Sequence, residues 1–379
     1  HAAFGGRGRA AGADAVQDGV LADRADRGDP LRGPAVQGGG AERFVLTLAE
    51  GFRQLGYEPH IVCFKKQVDY DNVAFPVHFL DYQSVRWLPK SLRHPLFAKK
   101  FDNYVRKHIC HTPALVLSNL WQVDQTLKFS QLLNRVFVIH NTLSKEKQVH
   151  TYLSDKKLRN VYEHQHIAAV SQGVLDDFRK IVPDTLSITA IHNPIDQQSI
   201  VLQAQQTSII ATYPALNQGY LVHVGKFKQQ KNHQLLLQAY ALTDRSLPLV
   251  LVGQGGLQAD CEALAKRLGI EDKVWFMGFH PNPYPWIASA TGMVLSSIYE
   301  GFGIVIAEAL ALGVPVISTD CESGPAEILP STNLVPVNDT DALAEKMTQL
   351  MHHPASFSHP FDERLLPKAV AERYLNLVS

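Results

Sequence analysis

Two series of short apolar segments, each alternating with segments of helical periodicity, constrain the fold of this chain more than any other feature. Strands are predicted at 59–64, 114–120, 135–140, 166–171 and 187–193, and then at 219–227, 247–254, 273–279, 292–297, 314–319 and 333–337. Short strands that alternate with helices are typical of parallel α/β sheets. A polar, helical stretch at 196–218 separates the two series, so the pattern predicts two Rossmann-like domains in tandem.

Length, charge and cysteine content narrow the class of protein. The chain has 379 residues, which is more than one hydrophobic core usually serves. Lys and Arg together number 36, as do Asp and Glu, so no overall charge indicates a nucleic-acid partner. No run approaches the ~18 apolar residues of a membrane span, and four dispersed cysteines fit a reducing compartment. We therefore expect a cytoplasmic protein.

The segment SSIYEGFGIVIAEALALG, residues 296–313, places a glycine-bearing loop between a strand and a helix. Gly301 and Gly303 allow the backbone to come close to a ligand, and the free N–H groups of the following helix favour an anion or a hydroxyl-rich group. Ligands of open α/β sheets bind beyond the carboxyl ends of the strands, which is where Glu300 lies. The pattern therefore predicts a ligand site at this loop.

Glu308 follows IVIA and precedes ALAL in the same helix, so almost no solvated face is left for its carboxylate. A buried carboxylate needs a partner. Near the first turns of a helix it can accept both hydroxyls of a ribose, and this favours a nucleotide site. The alternative is an exposed helix glutamate beside an unrelated loop glutamate.

Glu300 and Glu308, with the segment SGPAEI that follows them, resemble the retaining glycosyltransferases of the GT-B fold, glycosyltransferase family 4 (group 1). Further similar segments, in the family's order, are GGGAERFVLTLAEGFRQLGY, VIHN, AVSQGV, IHNPID and VGKFKQQKNH. The resemblance begins at about Gly38. It implies an acceptor-binding domain at 38–195, a nucleotide-sugar-binding domain at 196–360, a closing helix at 361–379 and an active site in the cleft between the two domains.

The resemblance assigns the donor site mainly to the second domain. It implies that Glu308 holds the ribose of the nucleotide. Glu300, with the backbone of Phe302 and Gly303, is expected to contact the donor sugar. Gly225, in the segment VGKFKQQKNH, is assigned to the same donor site.

The resemblance also implies residues that act on the leaving group. Lys226 and Lys231 match the basic pair that neutralises the diphosphate, where charge builds as the glycosidic bond breaks. The family more often has arginine at the position of Lys226, and lysine keeps the charge but loses the bidentate fork. His140 matches a histidine facing the donor sugar, and Gly39 and Gly40 match a glycine turn near the phosphates and the acceptor. Taken singly, these residues also fit surface lysines, a structural histidine and a plain helix entry.

The implied activity is that of a retaining, metal-independent hexosyltransferase. The donor is expected to be a nucleotide-diphosphate sugar, UDP-linked, and the acceptor a glycan or glycolipid in bacterial lipopolysaccharide or surface-polysaccharide assembly. No cofactor is expected, and the DxD spelling at Asp69–Asp71 is interpreted as an ordinary polar loop. Two alternatives stay open: a non-hydrolysing nucleotide-sugar epimerase, and a nucleotide-sugar-binding subunit with impaired catalysis.

Residues 84–109 form a basic segment, with seven Lys or Arg against one acid, Asp102, interleaved with aromatic and aliphatic side chains. Such a composition suits an amphipathic surface on anionic lipid or on a phosphorylated glycolipid. We therefore expect a peripheral association with the inner face of the plasma membrane. An ordinary pair of helices with a solvated basic face fits the segment equally well.

Residues 1–37 depart from the family pattern. The first 40 residues contain ten Gly and nine Ala but no Lys or Ile, and they lack an apolar run that would form a first strand. This composition predicts a poorly ordered or loosely helical leader. The amino-terminal sheet would then lack a normal first strand, and sugar transfer would be impaired.

Overall fold

The computed structural model describes residues 40–65, 74–150 and 152–378, together with the backbone of residues 18–24. The strands of these residues form two sheets, one of seven strands and one of six. Each sheet corresponds to one of the two series of apolar segments. The α/β class with two Rossmann-like domains is therefore confirmed.

The amino-terminal sheet contains the strands β1 Asp18–Arg24, β2 Tyr57–Cys63, β3 Val77–Phe79, β4 Leu115–Ser118, β5 Arg135–Ile139, β6 His166–Ala169 and β7 Ser187–Ala190. The helices around it are α1 Gly40–Gln54, α2 Lys90–His108, α3 Trp121–Leu127, α4 Leu143–Val149, α5 Asp155–Tyr162 and α6 Gln172–Ile181, with a 3-10 helix at Tyr82–Val85. The strand order is β3-β2-β1-β4-β5-β6-β7. Every neighbouring pair that excludes β1 is parallel.

Strand β1 corrects the prediction that residues 1–37 contain no strand. Asp18–Arg24 fills the central place of the sheet and pairs antiparallel with both β2 and β4. Val20, for example, lies opposite Ile61 on one side and Leu117 on the other. Without a strand in this place, the backbone N–H and C=O groups on the facing edges of β2 and β4 would be unpaired. Because β1 runs against its neighbours, the sheet still lacks the parallel first strand of a Rossmann domain.

The carboxyl-terminal sheet contains the strands β8 Leu221–Val224, β9 Leu249–Val252, β10 Val274–Gly278, β11 Gly292–Leu295, β12 Val316–Thr319 and β13 Leu334–Val335. The helices of this domain are α7 Gln197–Ala204, α8 Ile209–Thr212, α9 His233–Ala241, α10 Gln258–Arg267, α11 Tyr284–Ala288, α12 Ile304–Ala311, α13 Pro325–Ile328 and α14 Thr340–His352. Short 3-10 helices lie at Pro214–Leu216, Gln229–Lys231, Ser331–Asn333, Pro354–Phe357 and Glu363–Leu365. The order is β10-β9-β8-β11-β12-β13, with every pair parallel.

The last helix, α15 Pro367–Leu375, returns to the amino-terminal domain and packs against α1. Tyr374 of this helix is fully buried, and its ring lies edge-on to Phe44 with the ring centroids 6.4 Å apart. A Cβ at Gly51 would lie 2.1 Å from the carbonyl oxygen of Pro367, so only glycine permits the contact. The chain therefore crosses between the domains twice, and the second crossing is anchored by this helix pair.

Candidate active site

Loops at the carboxyl ends of both sheets meet in the cleft between the domains. His140 directly follows β5 in one domain, and the loop that holds Glu300 and Gly301 follows β11 in the other. A Cβ built on Gly301 would lie 1.9 Å from the carbonyl oxygen of His140. Any side chain at Gly301 would therefore push the domains apart, and this close approach explains the glycine.

Glu300 is 6% exposed and is held by its own domain. Its Oε1 accepts hydrogen bonds from Lys231 Nζ and from Ser297 Oγ, each at 2.6 Å. The side chain of Lys231 is only 15% exposed, so the contact is a largely desolvated, charge-assisted ion pair. The predicted sugar-contacting carboxylate and the predicted phosphate-binding cation thus form one unit.

Three lysines lie along the loop that follows β8. Lys226 is exposed, and Lys231 ends the 3-10 helix that begins at Gln229. Between them is Lys228, which is also exposed. Its pKa is lowered first because the surrounding protein removes part of its hydration and then by the positive charges of Lys231 and Lys226, with Glu300 acting in the opposite direction. Sequence reasoning missed Lys228, although the alternate spacing in KFKQQK was an available signal.

Glu308 lies in α12 and is 2% exposed. Its Oε1 accepts a hydrogen bond from Tyr284 Oη at 3.1 Å and lies 3.2 Å from Nη1 of Arg43, which belongs to the amino-terminal domain. Burial raises the pKa of Tyr284, and the Glu308 carboxylate raises it further, so the tyrosine remains a donor. Oε2 of Glu308 is buried and has no hydrogen-bond partner among the residues that the structure describes. The carboxylate therefore retains the capacity to accept hydrogen bonds from a ligand.

Backbone conformation shapes the rest of the predicted donor site. Gly303 precedes α12 with a φ of 82°, a conformation that strains residues with a Cβ. The ring of Phe302 is buried and stacks on His192, with centroids 5.1 Å apart, so its backbone rather than its ring is available to a ligand. Gly225 lies where the loops after β8 and β9 touch. A Cβ built on Gly253 would be 2.0 Å from the carbonyl oxygen of Gly225.

His140 is partly buried at the amino-terminal face of the cleft. Its Nε2 lies 3.4 Å from Oδ1 of Asn119, and its ring packs edge-on against Phe44 at 4.7 Å. Burial lowers the pKa of His140 to about 4. The imidazole is therefore neutral near pH 7, and it can act there as a hydrogen-bonding group rather than as a cation.

Some predicted positions fall at or beyond the limits of what is described. Gly40 is the first residue of α1, whereas Gly39 and Asp69–Asp71 lie outside the described residues. Within the described ranges, no group of three or more His, Cys, Asp or Glu side chains has the arrangement of metal ligands.

The basic segment, residues 84–109, has a buried side and an exposed side. Its α2 helix buries Phe97, Phe101 and Val105 toward the domain core. Asp102, its one acid, is also buried and accepts hydrogen bonds from Ser130 Oγ and the Gln131 amide. The outward side carries exposed apolar and basic side chains, namely Trp87, Leu92, Leu96, Lys99, Lys100, Arg106 and Lys107. Among the described helices, none has both the length and the apolar content needed to cross a bilayer.

Known proteins share the sequence pattern of both domains. Residues 38–199 match the family described as Glycosyltransferase Family 4, and residues 206–365 match Glycosyl transferases group 1. The chain is 29% identical over 302 residues to N-acetylgalactosamine-N,N'-diacetylbacillosaminyl-diphospho-undecaprenol 4-alpha-N-acetylgalactosaminyltransferase of Campylobacter jejuni, covering 76% of this chain and 80% of that protein. It is 31% identical over 171 residues to the lipopolysaccharide 1,6-galactosyltransferase of Escherichia coli, covering 42% of this chain and 44% of that protein.

A solved structure supports the fold. The crystal structure of Anabaena HepE in complex with UDP-glucose aligns with a TM-score of 0.65 at 18% identity, over 91% of this chain and 94% of that one. Two Rossmann-like domains whose strand ends meet across a cleft correspond to the GT-B fold. The chain belongs to glycosyltransferase family 4, the group 1 glycosyltransferases.

Proposed function

We propose that this chain transfers a hexosyl group, with retention of configuration, from a UDP-sugar to a glycan or glycolipid acceptor in bacterial lipopolysaccharide or surface-polysaccharide assembly. The observation that carries the proposal is the buried ion pair of Lys231 with Glu300, which lies in the same loop-helix segment as Glu308 with its uncommitted oxygen. The names of the relatives support the choice of acceptor, since they contain diphospho-undecaprenol and lipopolysaccharide. The Anabaena structure holds UDP-glucose, which supports the choice of donor.

The nucleotide and the diphosphate of the donor are bound by different residues. The buried Oε2 of Glu308 accepts the hydroxyls of the ribose, which satisfies an atom that is otherwise costly to bury. The cations of Lys226, Lys228 and Lys231 surround the diphosphate and stabilise the charge that develops on it as the bond to the sugar breaks. Because these cations supply the positive charge, the proposal requires no metal.

The reaction then proceeds at one face of the sugar. The acceptor hydroxyl attacks the anomeric carbon from the side on which UDP departs, the bond from that carbon to the phosphate oxygen breaks, and the hydroxyl proton moves to the β-phosphate. Glu300 accepts hydrogen bonds from Lys231 and Ser297, and Glu308 is assigned to the ribose, so neither is assigned as a nucleophile. His140, being neutral, offers a hydrogen bond to a sugar hydroxyl.

Product analysis tests this function. The protein is incubated with a panel of UDP-sugars and with glycolipid extracted from bacterial membranes, and the new linkage is assigned by NMR. We expect UDP release that depends on the acceptor and a product with the anomeric configuration of the donor. Conversion of a UDP-sugar without an acceptor would instead identify an epimerase, and binding of UDP-sugars without turnover would identify a binding subunit.

We further propose that the outward side of residues 84–109 docks on the inner face of the plasma membrane. Trp87 is 81% exposed, and Leu92 and Leu96 are about half exposed at neighbouring turns of α2. Asp102, the one acid of residues 84–109, is buried and bound to Ser130 and Gln131, so the segment itself places no carboxylate beside its exposed lysines and arginines. Apolar side chains beside basic ones favour the interface of an anionic bilayer.

Vesicle sedimentation tests the docking with two matched double variants. Arg106→Glu/Lys107→Glu reverses two charges in the last turn of α2, and Lys266→Glu/Arg267→Glu reverses two in the last turn of α10 in the other domain. We expect vesicles containing phosphatidylglycerol to bind the native protein and the α10 variant. The α2 variant should bind at least about 30-fold more weakly, since each of the two basic residues contributes about 1 kcal/mol near an anionic surface. Equal binding of both variants would overturn the docking.

A further inference from the structure

The loop at 300–303 is held from across the cleft by the amino-terminal domain. Ser171 begins helix α6 as its N-cap and is fully buried. Its Oγ donates a hydrogen bond to the carbonyl oxygen of Gly301 at 2.6 Å and accepts one from the amide of Val174 at 3.2 Å. A single hydroxyl therefore caps a helix of one domain and binds the loop of the other.

Glu327 makes the reverse connection from the carboxyl-terminal domain. Its carboxylate accepts hydrogen bonds from the amides of Gln172 at 2.8 Å and Gly173 at 3.0 Å, which are the first two N–H groups of α6. It also contacts His192 Nε2 at 2.8 Å. Burial acts to raise the pKa of Glu327, but the hydrogen bonds from His192 and the two amides outweigh burial and lower it. An anion at the positive end of a helix is a favourable pairing.

His192 connects the two contacts. While its Nε2 faces Glu327, its ring stacks on the ring of Phe302, at an interplanar angle of 27°. Gly324, just before the helix of Glu327, lies so close to the same loop that a Cβ there would be 2.3 Å from the Phe302 carbonyl oxygen. Helix α6, Glu327, His192 and residues 300–303 are thus in continuous contact.

We propose that Ser171, His192 and Glu327 are positioning residues, a clasp that sets the loop 300–303 for sugar transfer only when the two domains are docked. The proposal rests on the proposed function. Gly301 and Gly303 make the loop intrinsically free to change conformation. Because a peptide unit is planar, fixing the Gly301 carbonyl toward Ser171 also fixes the direction of the Phe302 N–H, the backbone group expected to meet the donor sugar.

The clasp should affect turnover more than donor binding. In Ser171→Ala and Glu327→Gln, the ribose and diphosphate groups are left intact, so the Kd for UDP should stay within about twofold of native. Since catalysis is sensitive to small displacements of the reacting groups, kcat should fall about 10- to 100-fold. Ser208→Ala is the matched control, because Ser208 caps α8 through an amide at the same 3.2 Å distance and its described hydrogen bonds are to Ala211 and Thr212 of that helix. Ser208→Ala should keep native kcat.

Amide hydrogen exchange provides a readout that does not depend on activity. In the full-length Glu327→Gln variant we expect faster exchange at the amides of 172–173 and also of 300–303, with the rest of both sheets unchanged. Faster exchange at 172–173 alone would overturn the clasp, because the carboxylate would then only cap α6. Should the native protein bind UDP but transfer no sugar, the proposed function fails while the exchange pattern still decides the clasp. Native kcat in both variants would overturn the clasp even if the enzyme transfers sugar as proposed.

Discussion

Glu300 and Glu308 lie in one loop-helix segment, yet their surroundings differ. Glu300 pairs with a cation of its own domain, since its Oε1 lies 2.6 Å from Lys231 Nζ. Oε1 of Glu308 instead lies 3.2 Å from Nη1 of Arg43, which belongs to the other domain. Only Glu308 has a buried oxygen without a partner among the described residues. Two buried carboxylates of one segment can therefore serve different ends: one balances a cation inside the site, and the other presents hydrogen-bonding capacity to a ligand.

The largest effect on stability and activity should come from removing Lys231, the cation paired with Glu300. Lys231→Ala leaves a carboxylate with 8% side-chain exposure uncompensated, so we expect a loss of stability of about 3–5 kcal/mol. It should also cost about 2–4 kcal/mol in kcat/KM through weaker stabilisation of the phosphate. Urea unfolding and donor kinetics measure the two effects.

Lys226→Ala separates these two effects. Lys226 is exposed, so its loss should lower kcat/KM by a similar amount but leave the unfolding free energy unchanged. A variant at Lys231 that is as stable as the Lys226 variant would show that the Glu300–Lys231 pair does not hold this loop.

Acid should lower the free energy of unfolding through His223. This residue of β8 is fully buried, and its Nδ1 lies 2.8 Å from the carbonyl oxygen of Val294. Burial lowers the pKa of His223 from 6.5 to about 4. The unfolded chain takes up this proton near pH 6.5 and the folded chain only near pH 4. The free energy of unfolding therefore carries no penalty from His223 above pH 6.5, and it falls by about 3 kcal/mol as the pH drops to 4.

Urea unfolding of the native protein and of His223→Gln at pH 7.5 and 4.5 measures how much unfolding free energy the protonation of His223 removes. The variant should lose less unfolding free energy between the two values, because it lacks the proton that the unfolded chain takes up. Identical losses would mean that the folded state accommodates the imidazolium.

The smallest effect should distinguish the two glutamates themselves. Glu308→Ala removes a contact made before and during the reaction, so it should weaken UDP binding by about 1.5–3 kcal/mol, the range for hydrogen bonds to a charged group. Glu300→Gln should lower kcat with little change in UDP affinity. Calorimetric titration with UDP measures the affinities, and unchanged affinity in Glu308→Ala would remove the ribose assignment.

The strands of the two domains differed in how far the sequence could predict them. β9 and β11, LVLV and GMVL, are buried throughout and were visible as continuous apolar runs, as expected of parallel strands covered on both faces. β3 has three residues and gave no periodic signal. β1 was missed because Gly- and Asp-rich DGVLADR has a weak strand pattern, and its place depends on the edges of β2 and β4 rather than on its own residues.

The candidate site likewise contains features that the sequence predicted and features that it did not. The apolar neighbours of Glu308 in the sequence predicted its burial, and the structure places it at 2% exposure. Its partners Arg43 and Tyr284 were not predicted, and neither was the pairing of Lys231 with Glu300. Local periodicity indicates which side is buried, but it carries no information on which distant residue lies opposite.

The sequence by itself determined the two-domain α/β architecture, the family and the segment around Glu300, because each is encoded in short-range patterns of apolar residues and glycines. Only the tertiary structure decided the direction of β1, the partners of the two glutamates and the contact of Ser171 with Gly301. These features join residues that are distant along the chain. They form only when whole sheets and domains pack together, since a buried polar group takes the partner that packing brings within hydrogen-bonding distance.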